Sequence, residues 1–466
     1  MGRRGESDRF RAAALIGLGT ALAPLDTAVN VALPAMTGSF GLTIGAAQWI
    51  VIAYVLTYAS LLLAIGRIGD LFGHRLIFRL GLAWSAAALL ACALAPGYGW
   101  LLVGRAAQGI GSALVLACGP ALLTALYDER DRGRALGLYT MMLAIGSGIG
   151  PLVGGALVQR WGWPAVFWFR VPIALAALAL VRGSTDGAAR ADAPRQPFDM
   201  VGAGLFAFSL GSFLLALNRL PLVLSGQYGG LALFGLAVIG AIGFARRELT
   251  FHAPMIELRV FRALDFTLLN AASVAVNLSS FAVLLLLPYY LTRILGFAGL
   301  QAGLVLAAAA IGAVLGSSLG GRWVSRRSAL PVALVGGLLA SLGLAAVGLA
   351  AGRWSATAMA AVLVAQGIGL GAFQTAYMDL VVGAIPVGNR GVAGGLAMLT
   401  RTIGVVIGAT VLTVIFQAFQ GQAAPGMPDA REAFVAAFRW TFVLAAGLSL
   451  AAIGIALLRQ MLRGKA

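Results

Sequence analysis

The sequence predicts an all-α membrane protein that crosses the bilayer fourteen times, and three observations carry that reading. The 466 residues are 60% hydrophobic and 11% charged, with a mean hydropathy of +0.94; no soluble domain of this length has that profile. The apolar residues form runs long enough to cross a ~30 Å hydrocarbon core as helices. The net charge of +17 sits in short segments between those runs, which is membrane topology rather than a nucleic-acid footprint.

In chain order the spans are 12–34, 47–66, 76–95, 99–126, 135–159, 165–182, 199–218, 226–245, 265–291, 301–321, 329–351, 354–382, 391–418 and 436–459. An even number places both termini on one side. Most of the 33 lysines and arginines fall on that side, so both termini are expected in the cytoplasm of a bacterial cell, with the chain multi-pass in its plasma membrane.

The first span follows Arg3, Arg4, Arg9 and Arg11, a start that imitates a secretory signal. The run is too long for one and carries Asp26 and Asn30, so an uncleaved helix is expected. An ionised Asp in hydrocarbon costs several kcal/mol and is therefore protonated, paired or turned to a wet cavity. Counted from Arg11 at ~1.5 Å per residue, Asp26 lies ~22 Å into the core. Asn30, one turn on, is expected to face the same side and share a polar cavity. Asp26 reads as a proton or cation site; the bland alternative is a carboxyl buried on a structural partner.

Spans two and three are joined by Gly66-Arg67-Ile68-Gly69-Asp70-Leu71-Phe72-Gly73-His74-Arg75. Its glycines permit a tight turn, while Asp70 and the arginines can bond neighbouring helix ends. Cys92 and Cys118 read as buried small hydrophobes, not a disulfide or metal pair. Span five holds Gly146, Gly150, Pro151, Gly154 and Gly155, the makings of a bendable, closely packed helix. Arg170, near the outer mouth of span six, is expected to snorkel to the interface rather than form an anion site. Asp199 and Asp265 stand at the starts of spans seven and nine, where Asp caps a helix and complements its dipole. Asp379 reads as a gate or interface residue. Arg401 lies ~15 Å deep in span thirteen and needs a partner, as a structural pair or as part of a cavity.

An internal repeat is visible. Gln108-Gly109-Ile110-Gly111 recurs as Gln366-Gly367-Ile368-Gly369, an offset of 258 that also maps Gly133 onto Gly391, Gly146 onto Gly404 and Gly150 onto Gly408. One such match can be helix packing alone; several in register argue for duplicated six-helix halves. The expected division is a first half 1–182, a linker 183–198, two inserted helices 199–245, a linker 246–264 and a second half 265–466.

Two parallel halves describe a major facilitator architecture, and five stretches carry the resemblance. Residues 66–75 resemble the signature loop Gly-x-x-x-Asp-x-x-Gly-Arg-Arg, with His74 in place of the first Arg; the remnant Gly321–Arg327 has Ser325 where the carboxylate would stand. Arg105-Ala106-Ala107-Gln108-Gly109-Ile110-Gly111 resembles the motif Arg-x-x-Gln-Gly-x-Gly, and Gly146–Gly155 the motif associated with antiporters. Leu25-Asp26-Thr27-Ala28-Val29-Asn30-Val31-Ala32-Leu33-Pro34 is similar to the first helix of the 14-helix drug:proton antiporters, and the stretch from His252 to Arg262 to that branch as well. That family often has Asn where this chain has Arg170, and span ten holds no acid, so a second intramembrane anion is not evident there.

The resemblance implies alternating access, with protons moving inward and substrate outward. Carried over, Asp26 is the protonatable acid and Arg105 serves proton coupling. Gly66, Asp70, Gly73 and Arg75 belong to a cytoplasmic gate, with Asp70 anchoring the start of span thirteen near Gly391. Gly146, Gly150, Pro151, Gly154 and Gly155 shape a rocking helix, and Asn30, Gln108 and Arg401 are cavity candidates. Arg105 lies ~9 Å below the outer face and Asp26 ~8 Å below it, so the two are expected to pair, directly or through water.

The function expected is proton-coupled export of small amphipathic organic compounds such as drugs or antibiotics; an importer of a metabolite is the nearest rival. A membrane-embedded enzyme is the rival of another class. Only two histidines occur, His74 and His252, and no nucleophile–base or metal spacing appears. A cation channel would need a ring of acids or a filter-like loop. The expected partners are a small-molecule substrate, protons and membrane lipid, with no nucleic acid, cofactor, metal or catalytic residue, and the chain is expected to work as a monomer.

Overall fold

The computed structural model describes residues 3–463 apart from 43, 184–198, 221–222, 224–225, 227, 253, 255–257, 298, 327, 353–354, 387–388 and 422–429. All of the expected linker 183–198 except Gly183 thus lies outside the described residues, as does part of the linker 246–264. The described residues contain no strand and form sixteen α-helices. They are α1 (Arg3–Ala21), α2 (Thr27–Phe40), α3 (Ile44–Phe72), α4 (His74–Ala93), α5 (Tyr98–Thr124), α6 (Arg132–Trp161), α7 (Ala165–Trp168) and α8 (Arg170–Gly183). There follow α9 (Met200–Asn218), α10 (Gly229–Thr250), α11 (Leu264–Tyr289), α12 (Gly299–Val324), α13 (Ala329–Leu349), α14 (Ala356–Ala384), α15 (Arg390–Gly421) and α16 (Ala430–Arg463).

Thirteen described spans are long and apolar enough to cross a membrane. The remaining expected span, 165–182, is apolar over a shorter length, Ala165–Val181, and divides into α7 and α8. Pro172 explains the division: it offers no N–H to the Trp168 carbonyl, and a proline is tolerated in the first turn of the helix that restarts at Arg170.

The first span is also not the single helix its apolar run suggested. α1 stops at Ala21, a 3-10 turn runs Pro24–Asp26, and α2 restarts at Thr27. The tightening is visible in the bonds Leu22 N to Gly19 O and Asp26 N to Ala23 O, each spanning three residues. α2 ends at Phe40, and the φ of +62° at Gly41 turns the Leu42 N–H back to Thr37 O at 3.0 Å.

The chain gathers into two compact units. The first holds Met1–Phe213, Gly235–Leu258 and Val381–Leu399; the second holds Leu214–Phe234, Arg259–Leu380 and Thr400–Ala466.

Four of the glycine pairs related by the 258 offset make corresponding contacts within each unit. A methyl group at Gly109 would strike Thr57 and the Tyr54 carbonyl of α3, and one at Gly111 would strike Ser85 of α4. In the second unit, one at Gly367 would strike the Ala309 carbonyl of α12, and one at Gly369 the Ala340 N–H of α13. Gly146 and Gly150 of α6 lie on the Ala21 carbonyl and on Leu25–Ala28, while Gly404 and Gly408 of α15 lie on the Val274 and Leu278 carbonyls of α11. Without a hydrophobic force between helices in lipid, such backbone approach is what holds them together. The second unit adds an aromatic stack: Tyr290 and Phe438 have ring centroids 4.6 Å apart, and Phe438 and Phe442 4.4 Å.

Prolines inside two helices free carbonyls that neighbours then take up. Pro151 cannot donate to Ser147 O, and Thr27 Oγ1 donates to that oxygen at 3.2 Å while lying 3.0 Å from Pro24 O. Pro120 cannot donate to Leu116 O, and the Tyr139 hydroxyl donates there at 3.1 Å. Thr27→Val keeps the shape and removes the donor. It is expected to cost about 0.5–1.5 kcal/mol, the net worth of one hydrogen bond, since the contact is part-buried. Thermal unfolding in detergent checks this: Thr27→Val should melt lower while Thr27→Ser stays near the parent, and equal melting of the two would break the assignment.

Candidate functional site

The break between α1 and α2 places Asp26 where its side chain turns into the first unit. The carboxylate accepts four hydrogen bonds there. Arg105 of α5 is bidentate, Nη1 to Oδ1 at 2.7 Å and Nη2 to Oδ2 at 2.7 Å. Gln108, one turn along α5, donates Nε2 to Oδ1 at 3.0 Å and accepts from Arg105 Nη1 at 2.6 Å. Arg170, the first residue of α8, donates Nη1 to Oδ1 at 2.9 Å.

The surroundings hold the guanidiniums as firmly as the acid does. Arg105 Nε donates to the Ile50 carbonyl of α3 at 2.7 Å, and its guanidinium carbon lies 4.4 Å from the Tyr54 ring centroid. The Tyr54 hydroxyl in turn donates to Ser112 Oγ at 3.0 Å. Arg170 Nε donates to Val166 O at 3.0 Å, with its guanidinium carbon 5.6 Å from the Phe167 ring centroid. Both arginine side chains are 0% exposed and the Asp26 side chain 10%. Ion pairs closed off in this way depend on every remaining polar atom finding a partner. One does not: Arg170 Nη2 is buried and makes no hydrogen bond.

The pairing of Asp26 with Arg105, expected from matched depths, is therefore present, and Gln108 belongs to the same cluster. Arg170 corrects the sequence reading: it does not snorkel to the interface. Snorkelling serves a side chain that faces lipid, whereas Arg170 faces the bundle, with an acid and the Val166 carbonyl within reach. Asn30 is exposed and lies outside the cluster, because the change from 3-10 turn to α-helix falls between it and the carboxylate. Arg401 and Asp379 belong to the second unit, the former half-buried and the latter buried. Tyr54, Ser112 and Phe167 carried no sequence signal beyond their apolar or neutral character.

The stretch 66–75, the end of α3, Gly73 and the start of α4, makes a second cluster. Asp70 accepts from the N–H groups of Gly391 at 2.8 Å and Val392 at 3.2 Å, in the first turn of α15. An anion at a helix N-terminus meets the dipole and its unsatisfied donors together. His74 Nε2 lies 3.1 Å from the same carboxylate. Gly66 is needed for the approach: a Cβ there would fall 2.5 Å from the Gly391 carbonyl oxygen. Gly73 adopts φ +93°, open to glycine at little cost, before α4 begins. Arg67 Nη1 donates to Asn389 Oδ1 at 2.8 Å, and Arg75 Nη2 to the Val181 carbonyl in the last turn of α8 at 3.0 Å. Of the α6 glycines, Gly146, Gly150 and Gly154 meet α1, the turn or α2 closely; Gly155 does not, its nearest neighbour being Val31 at 3.8 Å. Pro151 lies inside the helix.

Asp199 caps α9 as expected, accepting from Gly202 N–H at 2.9 Å and from Arg247 Nε at 2.9 Å. Burial alone would raise its carboxyl; these bonds outweigh that and hold it below the ordinary carboxylate range. Asp265 pairs with Arg459 at 3.4 Å, both side chains 39% exposed, so that pair adds little. Cys92 and Cys118 are free and buried.

Among the described residues, thirteen helices long and apolar enough to cross a membrane, with a paired acid buried among them, make this a multi-pass membrane protein. The Major Facilitator Superfamily model matches residues 15–282 and 269–465, and the chain belongs to that family of transporters, which are not enzymes. It is similar to the multidrug resistance protein Stp of Mycobacterium tuberculosis (strain CDC 1551 / Oshkosh), 30% identical over 86% of this chain and 75% of that one. It is also similar to the riboflavin transporter RibZ of Clostridioides difficile, 26% identical over 86% and 87% respectively. Its fold matches that of the human organic anion transporter MFSD10, with a TM-score of 0.69 at 14% identity over 96% of this chain and 99% of that one.

Proposed function

We propose that this protein is a proton-coupled exporter of small amphipathic organic compounds, drugs or antibiotics among them, in a bacterial cytoplasmic membrane with both termini inside. The relatives named for multidrug resistance favour export. The observation that carries the coupling is the Asp26 carboxylate, held inside the first unit by partners on two separate helices, α5 and α8. Movement of both helices away from Asp26 within the first half leaves the acid unpaired, able to take a proton on one side and release it on the other. Two six-helix halves, 1–182 and 265–466, with 199–245 inserted between them, supply the moving bodies. The Asp70 clamp on the start of α15 acts as the cytoplasmic gate, and the Gly146–Gly155 helix as the surface that rocks.

Export is tested in a pump-deleted host by accumulation of a panel of amphipathic dyes and antibiotics. Expression should lower accumulation and collapse of the proton gradient should restore it. A rise in accumulation on expression would instead favour an importer, the reading that the riboflavin transporter keeps open.

A further inference from the structure

The cluster around Asp26 does not balance its charge. One carboxylate faces two guanidiniums, so the cluster carries a surplus of +1 while Asp26 is ionised and of +2 once it is protonated. The surplus therefore persists through either step of a proton cycle. Both arginines are fully buried, where an uncompensated charge is costly. The excess has an address: Nη2 of Arg170, buried and without a hydrogen-bond partner.

The same count limits what can bind. A carboxylate offers about four lone-pair sites, two on each oxygen; Asp26 Oδ1 already accepts three bonds, and Oδ2 accepts one from the bidentate Arg105. An organic cation would have to share Oδ2 with the Arg105 guanidinium and stay beside two positive charges. An oxyanion meets neither obstacle, and a planar guanidinium is suited to receive one.

We propose that Arg170 sets the charge of the substrate: the compounds carried here are organic anions bearing a carboxylate or similar oxyanion, which bonds Arg170 Nη2 once the cluster opens. The proposal rests on the export reading for direction and adds the substrate's chemical class. It also means that proton and substrate do not share the Asp26 carboxylate, so their coupling runs through the opening and closing of the cluster rather than through displacement of one by the other.

The test is equilibrium binding to the full-length purified protein in nanodiscs, with no proton gradient. The probes are matched aryl carboxylates and aryl-methylammoniums on naphthyl, biphenyl and anthryl rings, in low-chloride buffer. Wild-type protein should bind the carboxylates about tenfold more tightly than their cationic partners, the scale of one charge-assisted bond. Arg170→Gln should bring the pairs together, and Arg170→Lys, which restores the charge, should recover the preference. Equal binding of the pairs by wild type, or absence of binding by all of them, overturns the proposal, and neither outcome depends on the variants folding. So does a rise in melting temperature with added chloride that Arg170→Gln abolishes, if the aryl pairs bind equally, since the site then holds an inorganic anion. Failure of gradient-driven efflux with the carboxylate preference intact would sink the export reading and leave this assignment standing.

Discussion

Asp26→Asn should abolish uphill, gradient-driven transport. Asn matches Asp in size and its carbonyl still accepts a bond, but it neither ionises nor carries a proton. Stability should fall as well: two buried guanidiniums then face no anion, and removing one partner of a buried pair costs about 3–5 kcal/mol. The two effects can be separated. Asp26→Asn combined with Arg105→Gln removes a charge of each sign and should recover much of the melting temperature while transport stays uncoupled. Proteoliposomes with an imposed pH gradient and thermal unfolding in detergent are the two measurements. An Asp26→Asn protein that still concentrates substrate against its gradient would defeat the coupling role. Full recovery of uphill transport in the double variant would defeat it equally.

The meeting of Asp26 and Arg105 was legible because a helix advances by a fixed rise, so positions in sequence convert to depths in the membrane, and two charges at one depth have reason to pair. Depth leaves out azimuth, and Arg170 shows the cost of that. Its place near the outer mouth suited a snorkelling side chain as well as an inward one; only the packing of α8 in the first unit decides between them. The same gap accounts for Asn30. A four-residue step from Asp26 keeps one face in an unbroken helix, but Pro24 imposes a 3-10 turn ending at Asp26, and the face is not carried across it. The break was readable in Pro24 itself, yet an apolar run of spanning length invites a single helix.

The glycine repeat carried further, since a residue with no side chain marks a place where backbones meet, and the pairs Gly109/Gly367, Gly111/Gly369, Gly146/Gly404 and Gly150/Gly408 do meet backbone in both units. Thr27 lies at the other extreme. Its bond to Ser147 O answers a vacancy made by Pro151, and both halves of the arrangement are in the sequence, but nothing along the chain says that the two helices touch there.

Asp70→Asn should slow transport while leaving substrate affinity near its original value. The carboxylate is 3% exposed and accepts from two N–H groups in the first turn of α15. Asn keeps an acceptor but loses the charge that complements the helix dipole, and a hydrogen bond to a charged group is worth about 1.5–3 kcal/mol. Spent on one arrangement of a two-state cycle, that shifts the balance of clamped and released states by roughly ten- to a hundredfold. On the proposed reading the substrate step belongs to a different cluster, built on Asp26, so dissociation constants should move little. Gly66→Val tests the same clamp without touching its charge, because a side chain there collides with the Gly391 carbonyl. Both variants should raise the accessibility of cysteines placed in the first turn of α15 to a membrane-impermeant thiol reagent applied from the cytoplasmic side. Turnover and accessibility equal to wild type in both, at matched expression, would remove Asp70 from the gate.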